Sequence, residues 1–256
     1  DEEWYQHNGT PGDAARNFSL IGKSGIAVGT RRAGRPPECW DNFGAICNVT
    51  TMEYDGLMSG EDVPPGKAYL CCPVAEGKKD KHEMEKWLAV AIGFVITNIV
   101  EGRRVLVHCA QGMDRSVAVT MATQVLFCSM VEGDDLALFP WCREEFSSEN
   151  IARRIDCDAG STPLPYKSSG MSEECVTALM DRKGKELLLS WVREAQAKAC
   201  DLPDSSSIGT ATLADKDSLR QILHLITRYH GRAAPTRSTL QKLNRFFMSS
   251  EYENSK

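Results

Sequence analysis

The chain has 256 residues, of which 42% are hydrophobic and 25% are charged, a composition typical of a globular protein with one sizeable core, or one core carrying a large insertion. No apolar run approaches the ~18 residues that a spanning helix needs, which excludes a membrane-spanning protein. The net charge of −5 excludes a generally basic nucleic-acid binder and leaves only local basic groups for such a role.

The N-terminal part of the chain predicts a sheet. Residues 1–19 are polar with little periodicity, which indicates a loose arm. Four short apolar runs follow and predict buried strands. They cover residues 25–30, 45–50, 68–74 and 104–109.

Helical patterns alternate with these strands. Apolar residues recur at helical spacing between residues 80 and 102, and a helix that is apolar nearly all round is predicted over 115–131. The alternation predicts an α/β fold in which helices flank a central sheet.

The second half of the chain changes composition. Residues 133–212 are rich in Ser, Gly, Pro and acidic residues around a helical segment near 173–199, which indicates an insertion with one or two helices of its own. Two amphipathic helices are predicted over 215–231 and 235–250, before a short tail at 251–256. The main domain therefore spans residues 20–250.

The cysteines indicate a reducing environment. There are ten of them, and none forms the C-x-x-C pair that is typical of zinc sites. We therefore expect free thiols, a cytoplasmic location and no metal centre.

The segment HCAQGMDRS, residues 108–116, lies between the fourth predicted strand and the apolar helix. Five residues separate Cys109 from Arg115, a length that suits a loop whose backbone N–H groups surround a tetrahedral oxyanion at a helix N-terminus. Such a loop would also lower the pKa of the Cys109 thiol. The segment therefore predicts a phosphate-binding loop.

The side chains of this segment fit the same chemistry. Arg115 can bind two phosphate oxygens at once, and Ser116 can donate a hydrogen bond to the sulfur. Gly112 permits the tight turn, and His108 can support the loop from behind. The phosphate-binding candidates are Cys109, Ala110, Gln111, Gly112, Met113, Asp114, Arg115 and Ser116, and Cys109, Asp114 and Arg115 are also catalytic candidates.

The loop resembles that of the protein tyrosine and dual-specificity phosphatase superfamily, and the runs GIAVGT, AICNVT and YLCCPV resemble the first strands of that superfamily in order. The resemblance implies a phosphatase-like fold and a general acid soon after the third strand. The segment there is AEGKKD, so Glu76 and Asp80 are the candidate acids, with Lys78 and Lys79 as supporting residues.

The C-terminal helix resembles a more specific family, the initiator-tRNA ribosylphosphate transferases. The residues that carry this resemblance are Pro235, Thr236, Arg237, Leu240, Gln241, Asn244 and Phe246. It implies transfer of ribosyl phosphate from phosphoribosyl pyrophosphate to a ribose 2′-hydroxyl in the T-stem of initiator tRNA, with no tightly bound cofactor. Arg237 and Asn244 become candidates for the rim of the site.

Two features depart from that family. Met113 stands where a lysine is usual, and the large N-terminal domain of the family is absent from this sequence, so we expect this chain to work with such a domain as a partner. Two other functions stay open: a free-standing cysteine phosphatase, and a non-catalytic module that binds phosphate or tRNA. From the residues alone, Cys109 is either a nucleophile or a phosphate anchor.

Overall fold

The computed structural model describes residues 17–80, 82–131, 135–147, 149–150, 153, 179–180, 182–200 and 215–248. Five strands form its central sheet: β1 (Phe18–Leu20), β2 (Ile26–Thr30), β3 (Ala45–Asn48), β4 (Ala68–Cys71) and β5 (Val105–Cys109). Their order is β1-β2-β5-β3-β4. β1 is antiparallel to β2, and the other neighbouring strands are parallel. The expected α/β fold with a central sheet is confirmed.

Both faces of this sheet are covered, which explains why its strands are uninterrupted apolar runs. Successive residues of a strand point to opposite faces. In β5, Val105 and Val107 belong to a large apolar core, whereas Leu106 belongs to a smaller one. Two short helices, α1 (Cys39–Asn42) and α2 (Asp55–Ser59), contribute to the smaller core.

The longer helices contribute to the large core. They are α3 (Glu83–Val100), α4 (Arg115–Phe127), α6 (Arg182–Cys200), α7 (Lys216–Tyr229) and α8 (Arg237–Met248), with the short α5 (Cys142–Glu145) between α4 and α6. Every residue of α4 except Val125 is buried, in agreement with its apolar pattern. None of the described helices is long and apolar enough to cross a membrane.

The helix predicted over residues 115–131 ends four residues early. Cys128 adopts an extended conformation, and the chain continues as β6 (Cys128–Val131), which pairs antiparallel with β7 (Asp135–Leu138). A continuous apolar run fits either a buried helix or a buried strand, so the sequence pattern did not mark this change.

Two other segments differ in detail from the sequence expectations. Strand β1 begins at Phe18, inside the segment predicted as an arm, and pairs with β2 from Phe18 to Leu20. Within the predicted insertion, Phe146 stacks on Trp191 of α6 with ring centroids 4.1 Å apart, so the described part of this segment shares the large core. Residues 1–16, 154–178, 201–214 and 249–256 lie outside the described residues.

Candidate phosphate-binding site

The candidate loop lies at the carboxyl end of the central strand. Cys109 is the last residue of β5, and α4 begins at Arg115, so the loop closes at a helix N-terminus. The backbone N–H of Arg31, just after the neighbouring strand β2, donates to the Ala110 carbonyl at 3.3 Å. Where a parallel strand leads into a helix in this way, backbone N–H groups and the helix dipole both favour an anion.

Gly112 makes the tight turn of this loop. Its φ is +71°, which is the left-handed region that favours glycine. An added Cβ would lie 2.8 Å from the backbone of Gly29 in β2. Both the conformation and the close approach therefore require glycine here.

Cys109 is buried at the base of the loop, and the Ser116 hydroxyl donates to its sulfur at 3.2 Å. Burial by itself raises the pKa of the Cys109 thiol. The Ser116 hydroxyl, the backbone N–H groups of Ser116 and Asp114, and the Arg115 charge outweigh burial, so this pKa lies below its usual value. The thiol is therefore more acidic than an ordinary buried cysteine.

Other buried thiols behave in the opposite way. Burial raises the pKa of both Cys39 and Cys128 to about 12, and it also raises the pKa of Cys71, Cys72 and Cys142. Cys109 differs from them because its donors, on Ser116 and Asp114, act together with the Arg115 charge and outweigh burial.

Arg115 connects the loop to the chain after β4. Its guanidinium donates to the Val74 carbonyl and to the Glu76 carboxylate, each at 2.6 Å. The Arg115 side chain is buried, whereas that of Glu76 is 61% exposed. Of the two candidate acids, Glu76 is thus the one whose carboxylate contacts a loop residue.

Asp80, the other candidate acid, has structural contacts. One carboxylate oxygen accepts from the backbone N–H groups of Glu83 at 2.9 Å and Met84 at 3.4 Å, which caps helix α3. The other oxygen forms a buried ion pair with Lys242 of α8, and the Lys242 ammonium also donates to the Asp80 carbonyl at 3.0 Å. No sequence pattern marks Lys242, because it lies within the apolar pattern of the last helix.

His108 lies behind the loop. Its carbonyl accepts from the Val49 N–H at 2.8 Å, and its ring packs so tightly on Gly34 that a Cβ there would lie 2.5 Å from Nε2. The pKa of His108 is lowered to about 4, chiefly by burial and also by the nearby Arg31 charge, while the Cys109 backbone opposes both. The imidazole is therefore neutral at neutral pH.

The segment after helix α7 contacts the loop, and no sequence pattern marks this contact. His230 Nε2 lies 2.8 Å from the Gly112 carbonyl. The backbone N–H of Ala234 donates to the Met113 carbonyl at 2.9 Å, and that of Thr236 donates to an Asp114 carboxylate oxygen at 2.7 Å. The C-terminal helices are therefore connected to the loop by hydrogen bonds.

Comparison with known families agrees with this arrangement. Residues 37–123 match the family model described as dual specificity phosphatase, catalytic domain. Residues 180–247 match the model described as Rit1 DUSP-like domain, the initiator tRNA transferase family. The two matches together support a DUSP-like domain of the initiator tRNA transferase family in this chain.

Solved phosphatase structures are also similar to this DUSP-like domain. They include DUSP15, at 12% identity over 93% of this chain and 92% of that one with a TM-score of 0.46. Human DUSP28 is 13% identical over 92% and 96%, with a TM-score of 0.45. The Yvh1 phosphatase domain from Chaetomium thermophilum is 12% identical over 93% and 99%, also with a TM-score of 0.45. No curated protein sequence matches the chain.

The remaining candidate residues of the DUSP-like domain lie around the loop or on α8. Gln111 is exposed at the loop, and Lys79 is exposed in the 3-10 turn Gly77–Lys79, which also contains Lys78. Arg237 is exposed at the start of α8, directly after the loop-binding Thr236. Asn244 lines a cleft of about 200 Å³ between α4, α7 and α8. Within the described part of the chain, no three His, Cys, Asp or Glu side chains are grouped so as to hold a metal ion.

Proposed function

We propose that this DUSP-like domain binds a phosphate group in the loop Cys109–Arg115 during ribosylphosphate transfer to initiator tRNA. The proposal rests on a contact between the two matched segments. The segment that matches the Rit1 DUSP-like domain donates hydrogen bonds to the loop that follows β5. The loop itself has the features that an oxyanion requires, namely a helix N-terminus and the guanidinium of Arg115.

In the proposed transfer, a ribose 2′-oxygen in the T-stem of the tRNA attacks C1 of phosphoribosyl pyrophosphate. A C–O bond forms at C1, the bond from C1 to pyrophosphate breaks, and the 2′-hydroxyl proton is lost to a base. The loop holds one phosphate, either of the donor or of the tRNA backbone. The N-terminal domain that the family resemblance implies would take part in this reaction as a partner. We place the reaction in the cytoplasm.

Arg115 has to exchange partners when phosphate enters the loop. Its guanidinium now donates to Glu76, so an incoming phosphate competes with that carboxylate for the same N–H groups. Arg115 is buried while Glu76 is largely exposed, which allows the carboxylate to turn into water. We therefore expect Glu76→Gln to bind inorganic phosphate a few-fold more tightly, because the exposed competing charge is removed.

One observation favours a second function, a cysteine-dependent phosphatase: the Ser116 hydroxyl lies 3.2 Å from the Cys109 sulfur, where it supports a thiolate and lowers the pKa of the thiol. The thiolate would attack phosphorus, forming an S–P bond as the ester P–O bond breaks. The leaving oxygen would take a proton from Glu76, and water would then hydrolyse the S–P bond. In this case Glu76→Gln would lower turnover of an aryl phosphate while phosphate binding rises.

The test of the proposal is modification of initiator tRNA in cells whose gene for this chain carries single substitutions. We expect Arg115→Ala to abolish modification, and Arg32→Ala, at an exposed arginine in the turn after β2, to preserve it. Cys109→Ser separates the two roles of the thiol: normal modification identifies it as an anchor, and loss identifies a chemical role. Normal modification by Arg115→Ala would refute the loop's part in the transfer.

A separate measurement decides the phosphatase function. The purified chain is assayed for release of phosphate from an aryl phosphate between about pH 5 and 8, where a thiol of lowered pKa is active. Turnover that Cys109→Ser abolishes supports the phosphatase. Salt-dependent binding of tRNA without any turnover supports a binding module instead.

A further inference from the structure

The segment from His230 to Thr236, here called the C-terminal brace, contacts three successive residues of the loop. His230 Nε2 pairs with the Gly112 carbonyl, the Ala234 N–H with the Met113 carbonyl, and the Thr236 N–H with the Asp114 carboxylate. Each of these bonds is between 2.7 and 2.9 Å long. Such a set of short bonds fixes the orientation of consecutive peptide groups.

The geometry of the peptide bond carries this orientation to the other side of the loop. In a planar trans peptide, the carbonyl of one residue and the N–H of the next point in opposite directions. Holding the Gly112 and Met113 carbonyls towards the brace therefore directs the N–H groups of Met113 and Asp114 away from it. The Asp114 N–H does face Cys109, since it forms a hydrogen bond that lowers the pKa of that thiol.

The neutral His230 ring can donate to the Gly112 carbonyl in only one of its two tautomers. The Gly112 carbonyl can only accept, so Nε2 must carry the proton, and Nδ1 then accepts from the Ser19 hydroxyl at 3.0 Å. Burial lowers the pKa of His230, and the nearby Arg232 charge acts in the same direction, while the bond to Gly112 opposes both. His230 is thus a neutral imidazole held between strand β1 and the loop.

We propose that the C-terminal brace is a positioning element of the phosphate site, in which His230 holds the loop so that the N–H groups of Met113 and Asp114 point at the bound oxyanion and at the Cys109 sulfur. Asp114 then serves as an anchor for Thr236, which accounts for its carboxylate without a role as an acid. This inference rests on the proposed binding of phosphate by the loop and adds the residues that shape it.

Two substitutions of His230 separate its hydrogen bond from its packing. A glutamine places its amide nitrogen the same number of bonds from Cα as Nε2, so His230→Gln can still donate to Gly112. An asparagine reaches only the position of Nδ1, so His230→Asn keeps a polar group near Ser19 and loses the bond to the loop. His224→Ala is the control, because His224 is exposed on helix α7, which ends directly before His230.

The readouts are the affinity for inorganic phosphate by titration calorimetry and the pH dependence of the reaction between Cys109 and a neutral disulfide reagent. We expect His230→Asn to bind phosphate about tenfold more weakly, because a hydrogen bond to a charged group is lost or misdirected. We also expect its reaction to require a higher pH than that of the natural chain. His230→Gln and His224→Ala should match the natural chain in both measurements.

Two results would overturn the inference: natural phosphate affinity and pH profile in His230→Asn, or equal losses in the Gln and Asn variants, which would assign the effect to packing. Ala234→Pro provides an independent variant, because Ala234 is exposed and proline lacks the N–H that donates to the Met113 carbonyl. Urea unfolding shows that each variant is folded. If the natural chain binds no phosphate, the proposed function fails, and the Cys109 pH profile alone decides the role of the brace.

Discussion

Replacing Ser116 with alanine tests the chemical state of Cys109 most directly. The Ser116 hydroxyl lies 3.2 Å from the Cys109 sulfur in a buried site, and it is the largest influence that lowers the pKa of this thiol. Removing the hydroxyl weakens the support of the thiolate and leaves the rest of the loop in place. We therefore expect the Ser116→Ala variant to react at Cys109 only at higher pH.

The size of the effect follows from the strength of this hydrogen bond. A hydrogen bond to a charged group contributes about 1.5 kcal/mol or more, and 1.36 kcal/mol corresponds to a factor of about ten in thiolate population. A thiolate from a less acidic thiol is more nucleophilic, with a Brønsted coefficient of about 0.4–0.5. Each thiolate of the variant therefore reacts about threefold faster. At a pH below the thiol pKa, the net reaction should be about threefold slower.

The assay is the reaction of the folded chain with dithiodipyridine, followed by quantification of the modified Cys109 peptide by mass spectrometry. Following this one peptide separates Cys109 from the other thiols. Ser59→Ala is the matched control, because Ser59 is exposed and its hydroxyl donates to the Gly56 carbonyl at 3.2 Å. An unchanged rate and pH midpoint in Ser116→Ala would refute the assignment of the low pKa to this hydroxyl.

Three further substitutions test the loop and the ion pair that joins α8 to the segment before α3. Arg115→Lys should bind inorganic phosphate at least about tenfold more weakly in calorimetry, because an ammonium cannot make the two parallel hydrogen bonds of a guanidinium. Gly112→Ala should abolish phosphate binding, since its φ of +71° and the 2.8 Å approach to Gly29 exclude a Cβ; natural affinity would contradict this geometry. Lys242→Met should lower the free energy of unfolding by about 3–5 kcal/mol in urea titrations, because the Asp80 carboxylate is left buried without its partner. A loss under about 1 kcal/mol would show that this ion pair is dispensable.

The parts of the site that lie close together in the sequence could be predicted from the sequence alone. Cys109, Gly112, Arg115 and Ser116 lie within eight residues, so a strand, a tight turn and a helix start suffice to bring them together. The four buried strands were also predictable from the sequence, because a strand covered on both faces must be apolar along its whole length. The end of α4 at Phe127 was not, since the apolar run continues into β6.

Only the tertiary structure shows which groups that are distant in the sequence contact one another. Glu76 and Arg115 are 39 residues apart, Gly112 and His230 are 118 apart, and Asp80 and Lys242 are 162 apart. No periodicity marks such pairs, because each partner fits its own local pattern as a surface acid, a helix-ending histidine or a lysine in an amphipathic helix. His230 reaches Gly112 because α7 and α8 pack on α4, and Lys242 reaches Asp80 because α8 also packs on α3.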